Sequence, residues 1–345
     1  MGSRPQCNRF VTSMTDETAY GTAAADGAMT AMFSLVDPVL ADTSQDITDD
    51  TDLLKGHEFR LDENAYDVLF NNRSIPMTNV PASAEFLAYL FASALGDVST
   101  SQLDTSGDYE HTIKIMDVCS DGAQLPSRTI GLLYSGSSSL NMKYKGCVVD
   151  TLTLRATDRG RVTVDVTWVT DGTENDGSGI SVPANFHSTS FYFGKDCDIL
   201  EDVYGGTLAS FKSILRGFEL TINNNLDVDA AKNTNWQTSG ALPKLEFGTR
   251  EITCTLTLLG DETTAQYVHA AANDMMMSQF QLLGPTLAAN DADCLIDFPR
   301  HIWQIGAKAF DGNERTFQLN YAMFFDATEA SPIKVTVITA DTTIL

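Results

Sequence analysis

The sequence predicts a mainly β protein with flanking helices, sandwich- or barrel-forming, built from two diverged copies of one unit. Three observations carry this. The stretch LTLRATDRGRVTVDVTWVTDG (152–172) alternates apolar and polar side chains on both sides of a turn. A stretch near the C-terminus, HIWQIGAKAFDGNERTFQLNYAMFFDA (301–327), does the same. Each is preceded by a helical pattern, and each helical pattern by a strand pattern.

In chain order, residues 1–55 are polar and acidic, and DTSQDITDDTD (42–52) has the composition of a loop. They are expected to form an arm and a loop that order against a partner. GHEFRLDENAYDVLF (56–70) suggests a strand followed by less regular chain. PASAEFLAYLFASALG (81–96) predicts a helix. Phe86, Leu87, Leu90, Phe91, Ala94 and Leu95 fall at helical spacing, and Gly96 supplies the stop. Strands follow at HTIKIMDV and RTIGLLYSG. In the first ribbon Leu152, Leu154, Ala156, Val162, Val164, Val166 and Trp168 share one face. Thr151, Thr153, Arg155, Thr163, Asp165 and Thr167 share the other. TDGTENDGSGISVP (170–183) is a loop and a plausible boundary, which divides the chain into 1–55, 56–190 and 191–345.

The second half begins with strands at FELTINNN (218–225) and REITCTLTLLG (250–260). A helix is expected from an N-cap at Asp261 to Leu283, closed by Gly284-Pro285. The second ribbon turns at Asp311-Gly312-Asn313. The ribbons superpose without a gap. Leu152 meets Ile305, Arg155 meets Lys308, Val164 meets Phe317, Val166 meets Leu319 and Trp168 meets Tyr321. EFRLD before the first helix also matches ELTIN before the second. This pattern is that of an internal duplication.

The 345 residues carry 46 acidic side chains against 22 Lys plus Arg, a net charge of −24. Such a chain gains nothing from neutralising phosphates, which argues against gripping nucleic acid. Six widely spaced cysteines without a CxxC read as reduced thiols. No stretch is long and apolar enough for a membrane helix, and the N-terminus lacks the order of a signal peptide. The five histidines show no metal-ligand spacing. YSGSSS is a flexible turn, not a nucleophile elbow, and DGTENDGSG lacks the Lys and helix of a phosphate loop. Acidic clusters at Asp46/Asp49/Asp50/Asp52 and Asp291/Asp293 do not follow the EF-hand pattern. No catalytic, cofactor or metal residue is assigned. The three methionines Met275, Met276 and Met277 fit core packing or a subunit contact. Two long ribbons without an active site point to assembly, because open ribbon edges invite pairing with another chain and only closure removes them.

TDETAYGTAA, YEHTIKIMD, LPSRTIGLLYSG, YKGCVVDTLTLRATDRGRVTVDVTWVTDGT, FELTINNNLD and REITCTLTLLGD together resemble the tail tube proteins of long-tailed bacteriophages. The resemblance covers most of the chain and lies in the order of elements rather than in one invariant motif. It implies a structural virion protein of the tail, not an enzyme, assembled in the host bacterial cytoplasm. Its subunits would stack as rings, either trimers with pseudo-sixfold symmetry or hexamers. Each tube domain would add a four-stranded sheet to an inner β-barrel, with its helix packed outside. The implied partners are further copies of itself, a tape-measure protein and tail-end proteins. Viral DNA would pass through the lumen without specific binding. The wet face then lines the lumen through Thr151, Thr153, Arg155, Thr163, Asp165 and Thr167, and through Gln304, Lys308, Thr316, Gln318 and Asn320. Asp16, Glu17, Tyr20, Asp46, Asp49 and Asp50 would contact neighbouring rings. The alternatives are another β-rich virion protein, such as a decoration or tail-end ring, and a polysaccharide-degrading enzyme.

Overall fold

Period-two alternation organises the described residues, in a computed structural model, into one seventeen-stranded antiparallel sheet and two separate strand pairs. The structure describes residues 7–34, 45–49, 66–70, 74–105, 107–116, 124–134, 141–157, 160–171, 174–187, 191–227, 246–311 and 314–344. The strand expected at 58–62 and the ribbon turns at 158–159 and 312–313 lie outside these residues.

β1 (Cys7–Thr12) pairs with β2 (Ala31–Ser34), and β3 (Gln45–Asp49) with β4 (Tyr66–Phe70). β5 (Ser74–Pro81) leads into helix α1 (Ala84–Leu95). β6 (Gly96–Gln102), β7 (Tyr109–Ile115) and β8 (Arg128–Tyr134) follow. The first ribbon is β9 (Met142–Thr157) with β10 (Thr163–Val169), and β11 (Glu174–Asp176) returns along the start of β9. β12 (Cys197–Val203), β13 (Ala209–Ser210) and β14 (Leu215–Asn223) open the second half. Two short strands, β15 (Leu226–Asp227) and β16 (Glu246–Phe247), precede β17 (Glu251–Leu259) and helix α2 (Ala265–Ala272). β18 (Met275–Leu282), the second ribbon of β19 (Cys294–Asp311) with β20 (Glu314–Met323), and β21 (Lys334–Thr339) complete the chain.

Seven strands form a continuous run in the order β5-β10-β9-β14-β17-β20-β19. One arrangement occurs twice within it. β5 pairs with β10 and β10 with β9, and the helix follows the first strand. β17 pairs with β20 and β20 with β19, and again the helix follows the first strand. Leu152 opposes Val166 in the first copy, and Ile305 opposes Leu319 in the second. The halves join at two seams, β9–β14 and β7–β21. Both long ribbon strands serve two sets of neighbours. The start of β9 pairs with β8 and β11, and the start of β19 with β18 and β21.

α1 packs against β9 on one side and β6, β7 and β21 on the other, so all twelve of its residues are buried. A helix apolar all round needs such a site. Its sequence has no β-branched residue. Ser83 caps it by accepting a hydrogen bond from the Phe86 N–H at 3.3 Å. Gly96 ends it in the left-handed region at φ 91°, where a Cβ would lie 3.1 Å from Met116 Cβ. Above the helix Leu152, Leu154, Val164, Val166 and Trp168 are all buried, with the Trp168 ring 5.8 Å from Tyr89. In the second half Phe218 stacks on Phe280 at 3.7 Å.

Two expectations are corrected. The helix expected over 261–283 is only α2, and Met275–Leu282 is strand β18. Asn273 adopts φ 57°, a left-handed stop, and the chain beyond it alternates, burying Met276, Ser278, Phe280 and Leu282. Residues 7–34 are not a free arm either. β1 lies between β2 and β8, and Phe10, Val11, Ala31 and Phe33 are buried. The buried Arg128 guanidinium fastens this segment. It donates to Met14 O at 2.9 Å, Ser93 Oγ at 3.0 Å and Ile344 O at 2.6 Å, and lies over the Tyr89 ring. One cation thereby joins the N-terminal segment, α1 and the C-terminus.

Candidate assembly interface

The seven-strand run has one face packed on the core and one polar face. The first ribbon builds half of that face as alternation dictates: Thr151, Thr153, Arg155, Thr163, Asp165 and Thr167 share a side. β14 adds Asn223, Thr221 and Glu219 opposite Thr151, Thr153 and Arg155. β17 and β20 add Thr253, Thr255 and Thr257, then Gln318 and Asn320. Cross-strand hydrogen bonds tie the face together. Thr153 Oγ1 and Thr221 Oγ1 are 3.0 Å apart, and Thr255 Oγ1 donates to Asn320 Oδ1 at 2.9 Å. Threonine suits the position, since its branched stem fills the pleat and its hydroxyl finds a neighbour.

Arg155 is the cation on this face, and it is neutralised in place. Its Nε donates to Glu219 Oε2 at 2.8 Å, and its NH1 pairs with Asp165. Asp165 also accepts the Asn79 N–H at 2.7 Å. The bond to Glu219, then that to Asp165, raises the guanidinium pKa above its ordinary value. With Glu251 exposed on the same side, one guanidinium faces three carboxylates. The polar face is therefore mildly acidic, not basic. Arg161 lies past the ribbon end, its guanidinium over the Phe191 ring at 5.8 Å.

Lys308 departs from the expected alternation. The β19–β20 register slips between Ile305 and Lys308, so Lys308 opposes Phe317 on the α2 side. There its Nζ reaches Glu262 Oε1 at 2.9 Å and the Tyr267 hydroxyl at 3.0 Å. A bulge inverts the side-chain sequence beyond it, and Gly306-Ala307 is that bulge. Gln304 is exposed opposite Asn320, while Thr316 is buried opposite Ala309. Gln318 and Asn320 remain with the β17 threonines.

The run has two unfilled edges among the described residues. β5 pairs only with β10. β19 beyond Ile302 pairs only with β20, and it exposes Ile305 (38%) and Phe310 (76%). The β5 edge was not legible in the sequence, because Pro76, Pro81 and the left-handed Asn79 break its alternation. Proline in a strand is itself the mark of an edge.

The arm residues divide. Asp16 is exposed and Tyr20 half-buried. Glu17 is turned into its own chain, accepting from Ser127 Oγ at 2.9 Å, Thr129 Oγ1 at 2.7 Å, Gly21 N at 2.9 Å and Gly146 N at 3.0 Å. Asp46 and Asp49 lie on β3, and Asp50 lies outside the described residues. Asp291 and Asp293 accept hydrogen bonds within their own turn, from Thr286 and Gly284.

Two strongly shifted titratable groups, His301 and Glu201, are interior. Burial pushes His301 down to about 3 and Glu201 up to about 7. Glu201 holds the Trp303 indole N–H at 2.9 Å. His301 is wholly buried and Glu201 nearly so, which keeps both from a substrate.

The chain matches the family model of phage tail tube proteins over residues 11–313. It belongs to the phage tail tube family. No curated protein matches it significantly. A tail tube protein is a structural part of the virion tail and works in a multi-subunit tube. The mainly β architecture agrees with that membership, as does a surface whose polar features are a hydrogen-bonded sheet face and open strand edges.

Proposed function

We propose that this tail tube protein forms trimeric rings whose two repeated units per chain close a continuous barrel, and that the stacked rings conduct DNA. The seam between β9 and β14 carries the reading. In the first repeat the edge of β9 is covered by β14, which in turn pairs with β17. Among the described residues the equivalent edge of β19 beyond Ile302 is uncovered, and so is the far edge of β5. One strand beside β5 of the next copy would fill both edges. In the sequence EFRLD precedes the first repeat as ELTIN precedes the second. Closure would then bring about two dozen strands together, more than the roughly 16–18 that already leave an aqueous channel. The polar face lines that channel. Thr153 and Thr221 engage each other, Thr255 engages Asn320, and Arg155 is neutralised by Glu219 and Asp165, so duplex DNA meets a wall that does not hold it.

Electron microscopy of the purified chain tests this through Ile305→Lys. Ile305 is exposed on the edge, so the substitution changes monomer stability by less than about 0.5 kcal/mol, while a charge there blocks strand pairing. Hollow fibres from the unmodified chain and folded, unassembled protein from the variant are expected. Fibres from both would refute the edge assignment, and single unstacked rings from the unmodified chain would favour a tail-end ring.

A further inference from the structure

The ribbon-tip end of the polar sheet carries a pocket that the barrel reading leaves unused. It encloses about 180 Å³ and is lined by Ala156, Thr157, Gly194, Cys197, Leu215 and Gly217 together with Lys195, Lys212 and Arg216. Three cations in one hollow are unusual in a chain of net charge −24. Arg216 is only loosely balanced, its NH2 3.4 Å from Glu314 Oε2. Lys212 Nζ donates to the Lys195 carbonyl at 2.9 Å, and the Lys195 amino group lies 5.9 Å from the Phe193 ring. Among the described residues neither lysine has a carboxylate in ion-pair reach. Asp198, close by in sequence, accepts from Ser210 Oγ at 2.6 Å.

The opposite end of the same strands has the opposite character. β9 passes Asp150 and β17 begins at Glu251, which is exposed. Arg250 does not offset Glu251 outwardly, for its Nε is turned onto Asn224 Oδ1 at 2.6 Å. Nine residues of β14 separate the two ends, about 30 Å at the usual strand rise. The strands thus carry a three-cation pocket near one end and exposed Glu251 at the other, and a head-to-tail stack would bring the two together. We infer that the Lys195–Lys212–Arg216 pocket docks carboxylates of a second copy, presented by the Glu251 end of the next subunit along the tube. The inference rests on the tube reading and adds to it the contact that stacks one ring on the next. Electrostatic complementarity of this kind sets register and excludes reversed stacking.

Fibre length at 0.15 M salt, measured by electron microscopy, tests the inference on three chains: unmodified, Lys195→Glu with Lys212→Glu, and that pair combined with Glu251→Lys. The double variant should form rings with fibres at least tenfold shorter, and the added reversal should restore length. Thermal unfolding checks that the variants fold, and Lys195→Gln with Lys212→Gln replaces the pair if they do not, with shortened fibres again expected. Fibres of normal length from the double variant would overturn the pocket while leaving the tube reading intact. Shortening without rescue by Glu251→Lys would overturn the acidic partner. No rings or fibres from the unmodified chain would overturn the tube reading itself.

Discussion

Glu201→Gln should make the chain more stable, and increasingly so as pH rises. Glu201 is nearly buried, with Oε1 accepting the Trp303 indole N–H and Oε2 without a partner among the described residues. Burial raises its pKa from 4.5 to about 7. Between those values the unfolded chain has released the proton and the folded chain keeps it, so folding loses stability as pH rises. The full loss above pH 7 is about 3 kcal/mol, at roughly 1.4 kcal/mol per pH unit. Glutamine keeps the acceptor for Trp303 and never ionises. Its unpartnered amide resembles the unpartnered hydroxyl of the protonated acid, so that penalty cancels between pH values. His301 works in the other direction. Burial holds it at about 3, so its contribution is lost as pH falls below 6.5, and it is common to both proteins. An unfolding entropy of about 2.1 cal/mol/K per residue makes 1 kcal/mol worth roughly 1–2 °C here. The Tm advantage of the variant should therefore grow by about 4 °C between pH 5 and pH 8, measured by calorimetry at one protein concentration. A Tm difference that stays constant across that range would refute the argument that burial keeps this carboxyl protonated.

Trp168→Ala empties the space between the first ribbon and α1 and should cost about 3–5 kcal/mol, read as a lower urea midpoint. Gly96→Ala places a side chain at φ 91° with its Cβ 3.1 Å from Met116 Cβ, and should cost at least about 1 kcal/mol, read the same way. The edge substitution at Ile305 and the charge reversals at the ribbon-tip pocket leave the monomer folded and act on assembly alone.

What was legible in the sequence is what one buried face enforces. The first ribbon shows strict alternation because Leu152, Leu154, Val164 and Val166 must all reach the core, and a one-residue slip would expose them. α1 was legible because its apolar residues recur at helical spacing up to a glycine stop. The failures have local causes. Met275–Leu282 has unbranched methionines behind good capping residues, and only the left-handed Asn273 ends the helix. β5 hides behind two prolines and Asn79. The position of Lys308 depends on a bulge whose local sign is Gly306, an isolated glycine within the strand. The β7–β21 seam joins residues more than two hundred positions apart, and local alternation says nothing about such partners.

The account stands on the incompleteness of the seven-strand sheet within one chain. High-resolution electron cryomicroscopy of assembled fibres measures this directly. It should show an added strand bridging β19 of one copy and β5 of the next, with Thr153, Thr221, Thr255 and Gln318 facing a water-filled bore. Fibres in which β19 and β5 stay unpaired, or in which α1 and α2 rather than the threonine face surround the axis, would contradict it.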